Sequence, residues 1–137
     1  MALTFSVIVT DNISGSGLQP LREDDQFELV EINDSSSKDF LDALTSADGL
    51  IVRSATKVDS EMLAQAQSLK VIGRAGVGVD NIDLDAATER GIAVLNAPAG
   101  NTVSAAELTL ALMLSVVRRV PGADASVRRG EWDRGRF

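Results

Sequence analysis

The stretch LKVIGRAGVGVDNID, from Leu69 to Asp83, decides our interpretation of the fold. It predicts a short buried strand over Val71–Gly73 that runs into a loop with glycines at 73, 76 and 78. Glycine lets ligand atoms approach the main chain, and successive N–H groups in such a loop can form a concave anion site. The spacing G-x-x-G-x-G differs from the dinucleotide fingerprint G-x-G-x-x-G, which opens a helix directly. These residues alone leave a structural tight turn and an anion-binding loop equally open.

Four other apolar stretches have the composition of buried strands. They are Leu3–Val9, Phe27–Ile32, Leu50–Arg53 and Ile92–Leu95. Capping residues predict a helix after each of the first four strands in the chain: Ser16, then Ser36 or Ser37, then Asp59, then Asp83. Strands that alternate with helices require a parallel sheet. Right-handed crossovers make it a doubly wound, flavodoxin-like α/β sheet of five strands in the order 2-1-3-4-5.

The loop after the third strand, RSAT from Arg53 to Thr56, is expected beside the glycine loop. The carboxyl ends of neighbouring parallel strands share one edge of the sheet, and ligands bind at that edge. Arg53 offers a fork of donors suited to carboxylate or phosphate, and its alternative role is a surface salt bridge. Ser54 either binds a ligand or caps the loop. We therefore expect two turns to converge on a small anion.

The last part of the chain predicts a long helix, capped at Asn101 or Thr102 and ending near Arg119, where Pro121 breaks it. The S-x-x-E pattern of residues 104–107 fits a capping box. This helix is apolar on nearly all sides and therefore needs burial on all sides. We expect the sheet to cover one face and a second domain or another chain to cover the other.

Composition excludes several classes of protein. The 137 residues carry a formal net charge of −7 and include neither cysteine nor histidine. Without cysteine there is no disulfide framework or thiolate metal site, so we expect an intracellular, cytoplasmic protein without a signal peptide. Residues 1–100 carry 7 basic and 16 acidic side chains, which argues against nucleic-acid binding. The apolar run from Ala105 to Val117 contains Glu107 and is too short to cross a membrane.

Three stretches together resemble one known family. They are RSATKVDSEML from Arg53, the continuous run from Leu69 to Leu114, and RRGEWDR over residues 128–134. The chain resembles the D-2-hydroxyacid dehydrogenase superfamily, and within it the phosphoglycerate branch. This resemblance implies NAD-linked oxidation of 3-phosphoglycerate to 3-phosphohydroxypyruvate, which begins serine biosynthesis. Residues 1–100 would be the N-terminal part of the substrate-binding lobe and residues 101–137 the start of the NAD-binding domain.

The resemblance also assigns roles to arginines near the glycine loop. Arg53 and Ser54 would hold the anionic ends of the substrate. Arg74 would add to the grip on its phosphate. These three side chains leave two neighbouring strands, so the implied substrate site coincides with the edge that the sheet topology predicts for ligands.

The remaining implied contacts come from the glycine loop and from residues 101–137. The amides of Gly76, Val77 and Gly78 would face the substrate carboxylate. Val77 would also approach the nicotinamide of NAD. Asn101 would touch substrate at a hinge, and Arg134 would reach the site of a neighbouring subunit. Residues 101–137 would form the main contact of a homodimer or higher homo-oligomer.

Several parts of the family pattern do not occur in these 137 residues. The G-x-G-x-x-G fingerprint, the acidic ribose residue and the catalytic arginine, glutamate and histidine would all follow Phe137. Hydride transfer needs a proton acceptor and an oriented nicotinamide. We therefore expect this chain to be the N-terminal portion of such an enzyme, with no catalytic residue, no metal site and no dehydrogenase activity of its own.

Other interpretations involve related or different classes. The chain is alternatively part of another D-2-hydroxyacid dehydrogenase. A phospho-receiver needs an acidic pair after strand 1, an aspartate ending strand 3 and a lysine after strand 5, whereas Asp11, Arg53 and Asn96 occupy these places. A non-catalytic, flavodoxin-like anion-binding module that dimerises through the long apolar helix is the remaining alternative, and it is compatible with the enzyme interpretation.

Overall fold

The computed structural model describes residues 4–137. It divides into two compact units, of which the first ends at Gly100 and the second begins at Asn101. Within the described residues, the first unit holds five strands and four helices, and the second holds two helices.

The first unit is built on a parallel sheet. Its strands are β1 Phe5–Val9, β2 Phe27–Glu31, β3 Gly49–Val52, β4 Val71–Arg74 and β5 Ala93–Asn96. The spatial order is β2-β1-β3-β4-β5, and every neighbouring pair is parallel. The predicted flavodoxin-like fold is confirmed, and β2 to β5 lie within one residue of their predicted limits. The predicted start of the first strand, Leu3, lies outside the described residues.

Four helices join the strands. They are α1 Gly15–Arg22, α2 Lys38–Leu44, α3 Ser60–Gln65 and α4 Leu84–Glu89. The predicted caps of the last three are confirmed: the side chains of Ser37, Asp59 and Asp83 each accept a hydrogen bond from the main-chain N–H three residues later. Each such bond satisfies one of the N–H groups that a helix start leaves without a partner.

The predicted cap of the first helix is wrong. Ser14, not Ser16, precedes α1, and the Ser14 side chain makes no capping hydrogen bond. The N–H of Gly17 donates to the carbonyl oxygen of Ser14 at 3.0 Å, so helical bonding starts before Ser16. Pro20 therefore lies inside the helix rather than in its first turn.

The core lies between the sheet and α2 to α4. Its largest side chains, each 1% exposed or less, are Ile8, Leu50, Val52, Ile72, Phe40, Leu44 and Leu63. Burying one such side chain contributes about 1.5–3 kcal/mol. This core fixes the sheet, and the sheet fixes where the loops after β3 and β4 begin.

The register brings the ends of three strands level. Val52 at the end of β3 pairs with Arg74 at the end of β4, and Arg74 pairs with Asn96 at the end of β5. The segments that follow these strands therefore leave the sheet side by side along its carboxyl edge.

The second unit contains α5 Thr102–Val117 and α6 Val120–Arg128. Asn101 occupies the cap position of α5, but its side chain makes no capping hydrogen bond. The predicted capping box over residues 104–107 is wrong, because α5 already begins at Thr102 and places residue 104 inside the helix. Pro121 does not break α5. It lies in the first turn of α6, where its missing N–H costs nothing, and the chain turns at Arg119, which has a left-handed φ of 49°.

The apolar helix α5 is exposed along its length. None of the residues of α5 is buried, and our expectation that the sheet covers one of its faces stays a prediction. Leu108, Leu110, Leu112 and Leu114 are 56–66% exposed. No helix within residues 4–137 combines the length and hydrophobicity needed to span a bilayer.

Candidate functional site

Two segments meet at the carboxyl edge of the sheet. The Arg53–Thr56 turn (residues 53–56) follows β3, and the glycine loop (residues 75–80) follows β4. The N–H of Ala75 donates to the carbonyl oxygen of Val52 at 2.8 Å, which ties the start of one segment to the start of the other. The predicted adjacency of these two segments is therefore present in the structure.

Asp11, in the loop after β1, holds the amide side of the Arg53–Thr56 turn. Its Oδ2 accepts from the N–H of Arg53 at 2.7 Å and from the N–H of Thr56 at 3.1 Å, and its Oδ1 accepts from the Thr56 hydroxyl at 2.6 Å. Partial burial raises the pKa of Asp11, but the hydrogen bonds from Thr56, Arg53 and Ala55 together outweigh it, so the net pKa is lowered. The carboxylate is therefore ionised at neutral pH.

Asn81, just after the glycine loop, holds the carbonyl side of the same turn. Its Nδ2 donates to the carbonyl oxygen of Arg53 at 2.8 Å and to that of Thr56 at 2.7 Å. The main-chain oxygen of Asn81 accepts from the N–H of Val58 at 2.8 Å. The side chain thus links the segment after β4 to the turn after β3.

Sequence reasoning missed the roles of Asp11 and Asn81. Asp11 has a left-handed φ of 64° and is followed by Asn12 with a φ of 49°. Aspartate and asparagine tolerate this conformation better than other side chains, so the Asp-Asn pair after the first strand was a usable signal for a turn. Nothing in the sequence indicated which main-chain groups Asp11 would meet, because its partners lie more than forty residues later.

The side chains of Arg53 and Ser54 are exposed. Neither makes a side-chain hydrogen bond or ion pair within residues 4–137, so neither the salt bridge considered for Arg53 nor the loop cap considered for Ser54 is present there. The turn therefore presents a guanidinium and a hydroxyl on a main chain that is held by other residues.

Arg74 lies against the glycine loop. A β-carbon at Gly76 would overlap Nη1 of Arg74 and would lie 2.7 Å from its Cζ, so a larger residue at this position would displace the guanidinium. Nε of Arg74 is buried and has no hydrogen-bond partner within the described part of the chain. The arrangement places a second cation beside the amides of the glycine loop.

The main chain of the glycine loop has both occupied and unoccupied N–H groups. The N–H of Gly76 donates to the carbonyl oxygen of Arg74 at 2.8 Å, whereas those of Val77 and Gly78 have no acceptor within residues 4–137. The Asn96 side chain donates to the carbonyl oxygen of Val77 at 2.7 Å and anchors the loop to β5. The Val77 side chain is 40% exposed.

Asn101 and Arg134 belong to the second unit. Asn101 is exposed at the start of α5, and the guanidinium of Arg134 lies 5.2 Å from the ring centroid of Trp132. Their implied roles, at a hinge and in a neighbouring subunit, stay predictions. No group of three or more acidic residues suited to a metal ion occurs within residues 4–137.

The chain matches a known protein family over most of its length. A model of the D-isomer specific 2-hydroxyacid dehydrogenase catalytic domain matches residues 7–129. The D-3-phosphoglycerate dehydrogenase of Bacillus subtilis (strain 168) is 50% identical over 130 residues, which cover 95% of this chain and 24% of that protein. The chain spans about a quarter of the length of the curated relatives it matches.

Solved structures show the same arrangement of elements. A protein of Thermus thermophilus superposes with a TM-score of 0.79 at 39% identity, covering 94% of this chain and 42% of that one. The NAD+-bound 3-phosphoglycerate dehydrogenase of Entamoeba histolytica gives a TM-score of 0.69 at 30% identity, covering 82% of this chain and 39% of that one.

Proposed function

The chain belongs to the D-isomer specific 2-hydroxyacid dehydrogenase family, and from this we propose that it is the N-terminal substrate-binding part of an NAD-dependent D-3-phosphoglycerate dehydrogenase. One observation carries the proposal: the turn that presents Arg53 and Ser54 lies beside a glycine loop that adds Arg74 and two N–H groups without acceptors among the described residues. A small phosphorylated hydroxy acid, with an anion at each end, fits this set of donors. The 50% identity to a D-3-phosphoglycerate dehydrogenase supports the same substrate class.

Each group of the site has a distinct task in this proposal. The guanidinium of Arg53 and the hydroxyl of Ser54 bind an anionic end of the substrate, and a guanidinium does so with two parallel hydrogen bonds. Arg74 adds positive charge next to the phosphate. The N–H groups of Val77 and Gly78 bind the carboxylate, which fixes the orientation of the carbon that loses hydride.

NAD, when bound, accepts the hydride in such a reaction. Within this chain the exposed side chain of Val77 suits a contact with the nicotinamide. The 137 residues contain no histidine and no G-x-G-x-x-G fingerprint. We therefore propose that the purified chain produces no NADH from 3-phosphoglycerate and NAD. A rate of NADH formation above that of a protein-free control, measured by absorbance, would contradict this.

We further propose that residues 101–137 form the contact of a homodimer or higher homo-oligomer. The support is the exposed leucine surface of α5, since soluble monomers rarely expose large apolar patches. Light scattering over a range of concentrations should show a mass that rises with concentration. Replacing Leu110 and Leu112 by glutamate should abolish the rise, and a monomer at every concentration would contradict the proposal.

The test of the substrate site is Arg53→Ala. The variant should bind 3-phosphoglycerate about 1.5–3 kcal/mol more weakly than the wild-type chain, the scale of a hydrogen bond to a charged group. Arg90→Ala is the matched control, because Arg90 is exposed at the end of α4, away from both segments of the site. Titration by NMR measures both variants.

A comparison of ligands then tests the substrate class. D-lactate, which lacks the phosphate, should bind more weakly than 3-phosphoglycerate. Equal affinity for the two ligands would favour another D-2-hydroxyacid dehydrogenase. An Arg53→Ala titration that matches the wild type would show that the site is elsewhere.

A further inference from the structure

The main chain of the Arg53–Thr56 turn is held on both of its sides. Asp11 accepts from the N–H groups of Arg53 and Thr56, and Asn81 donates to the carbonyl oxygens of the same two residues. The turn has few other restraints at its outer part, because Arg53, Ser54 and Ala55 are all exposed. Its shape therefore depends on two side chains that come from different loops.

The main chain around Asn81 is held by Val58, in the segment that follows the turn. Val58 forms an isolated parallel bridge with Ile82, the N–H of Val58 donates to Asn81, and the N–H of Asp83 donates back to Val58 at 2.8 Å. Val58 is completely buried and Ile82 is 6% exposed. The Asn81 side chain therefore projects from a rigid position in the segment after the glycine loop.

The chemistry of the contact requires an amide. Both acceptors are main-chain carbonyl oxygens, so the group between them must supply two N–H bonds, and this also fixes which way the amide of Asn81 is oriented. Aspartate has no donor when ionised, and serine has one. Alanine leaves both carbonyl oxygens without this partner.

We propose that Asn81 is a positioning residue for the anion site, holding the Arg53–Thr56 turn in the shape that presents Arg53 and Ser54 to the ligand. The inference rests on the function proposed above and adds the residue that maintains the geometry of the site. A turn that is already ordered loses less conformational entropy when the anion binds. Asn81 thus raises affinity without touching the ligand, and it makes the geometry of one segment depend on the other.

The experiment measures affinity and turn rigidity on the same variants. Asn81→Ala should weaken binding of 3-phosphoglycerate roughly tenfold, the effect of about one net hydrogen bond, and Asn81→Ser should lie between it and the wild type. Backbone 15N order parameters of residues 53–56, recorded without ligand, should be highest in the wild type, lower in Asn81→Ser and lowest in Asn81→Ala. Thr88→Ala is the control, because it removes a side-chain hydrogen bond to the carbonyl oxygen of Leu84 in α4 but none to the turn, to Asp11 or to Asn81.

A double-mutant cycle separates positioning from a general loss of stability. In the Arg53→Ala background, Asn81→Ala should weaken binding by clearly less than it does in the wild type, since of the two side chains it positions only Ser54 remains. An equal loss in both backgrounds, or wild-type affinity in Asn81→Ala, would overturn the inference. If thermal unfolding shows Asn81→Ala to be unfolded, Asn81→Ser carries the same comparison.

The outcome also distinguishes the inference from the proposed function. A wild-type chain that binds no 3-phosphoglycerate would contradict the proposed substrate, and the order parameters would then decide the role of Asn81 alone. Unchanged order parameters in both variants would overturn the positioning role whatever the ligand result.

Discussion

The two units differ in how far their helices bury apolar side chains. In the first unit, α2, α3 and α4 each bury residues against a common core, and a capping side chain begins each of them. In the second unit, α5 contains four leucines, more than any of these helices, yet it buries no residue and its Asn101 side chain makes no capping hydrogen bond. The first unit therefore has a buried core of its own, whereas the leucines of α5 are exposed.

This difference bears on where function resides. The proposed anion site lies on a sheet fixed by a buried core, which suits a site that must hold charged groups in place. The exposed leucines of α5 suit an interface, which needs apolar surface but no prior burial. Paired substitutions, one in each unit, test the comparison.

The largest expected difference is in the unfolding free energy lost by Leu44→Ala and by Leu112→Ala. Leu44 is fully buried, so its truncation should cost about 2–5 kcal/mol of unfolding free energy through lost burial and a cavity. Leu112 is 56% exposed, and its truncation should cost less than about 0.5 kcal/mol in the monomer. Urea unfolding at low protein concentration measures both. Equal losses would show that α5 is buried in solution.

The first unit was largely predictable because its signals are local and consistent. Apolar strands alternate with helices whose caps, Ser37, Asp59 and Asp83, can be recognised from one residue and its neighbours. The right-handed crossover rule then restricts the strand order. The prediction failed where weak signals competed, as at Ser14 and Ser16, where several small residues offered alternative helix starts.

The site was only partly predictable. Its two segments were placed correctly because parallel strands end at one edge, which follows from topology alone. The hydrogen bonds by which Asp11 and Asn81 hold the Arg53–Thr56 turn could not be predicted, since they join side chains to main-chain groups far away in the sequence. The steric relation between Arg74 and Gly76 likewise depends on a rotamer, which the sequence pattern does not specify.

The next largest effect concerns two glycines. Gly76→Ala should displace the guanidinium of Arg74 and weaken anion binding by up to about 1.5–3 kcal/mol, while stability changes little because a flexible side chain can move. Gly122→Ala is the counterpart in the second unit: its methyl group would lie 3.0 Å from Cε1 of Phe137, and anion affinity should not change. Titration with 3-phosphoglycerate measures both.

The Arg74→Ala background shows how Gly76→Ala acts. If the methyl group acts by displacing Arg74, it should cause no further loss there. A further loss would mean that the methyl group blocks the ligand directly, and wild-type affinity of Gly76→Ala would remove Arg74 from the site.

A smaller difference is expected when the residues at two helix starts, Asp83 and Asn101, are each replaced by alanine. Asp83 accepts the N–H of Ala86 at 3.0 Å, so Asp83→Ala should destabilise the first unit by about 1 kcal/mol. Asn101→Ala should have almost no effect on the helicity of α5, because the asparagine side chain makes no capping bond. Urea unfolding and far-UV circular dichroism measure these effects. A marked loss of helicity in Asn101→Ala would show that this cap forms in solution.

The smallest expected effect is the acid dependence of two carboxylates, Asp11 and Glu131. Burial opposes ionisation of Asp11, but its hydrogen bonds from Thr56 and Arg53 leave its pKa lowered. A hydrogen bond from Arg129, followed by one from the Ser126 hydroxyl, lowers the pKa of Glu131. In both cases the folded state favours the ionised form, so the associated stability is present at neutral pH and is lost as the pH falls through the lowered pKa.

The two carboxylates should differ in which unit responds to acid. Asp11 joins the loop after β1 to the turn after β3, whereas the partners of Glu131 lie within five residues of it. NMR-detected urea unfolding between about pH 6 and pH 3 measures how much stability the first unit loses in acid. This loss should be smaller in Asp11→Asn than in the wild type, and in Glu131→Gln the loss of the first unit should equal that of the wild type. Some acid loss should persist in Asp11→Asn, because the pKa values of Asp34 and Asp48 are lowered as well. Identical acid profiles for Asp11→Asn and the wild type would mean that the carboxylate of Asp11 does not hold the Arg53–Thr56 turn in solution.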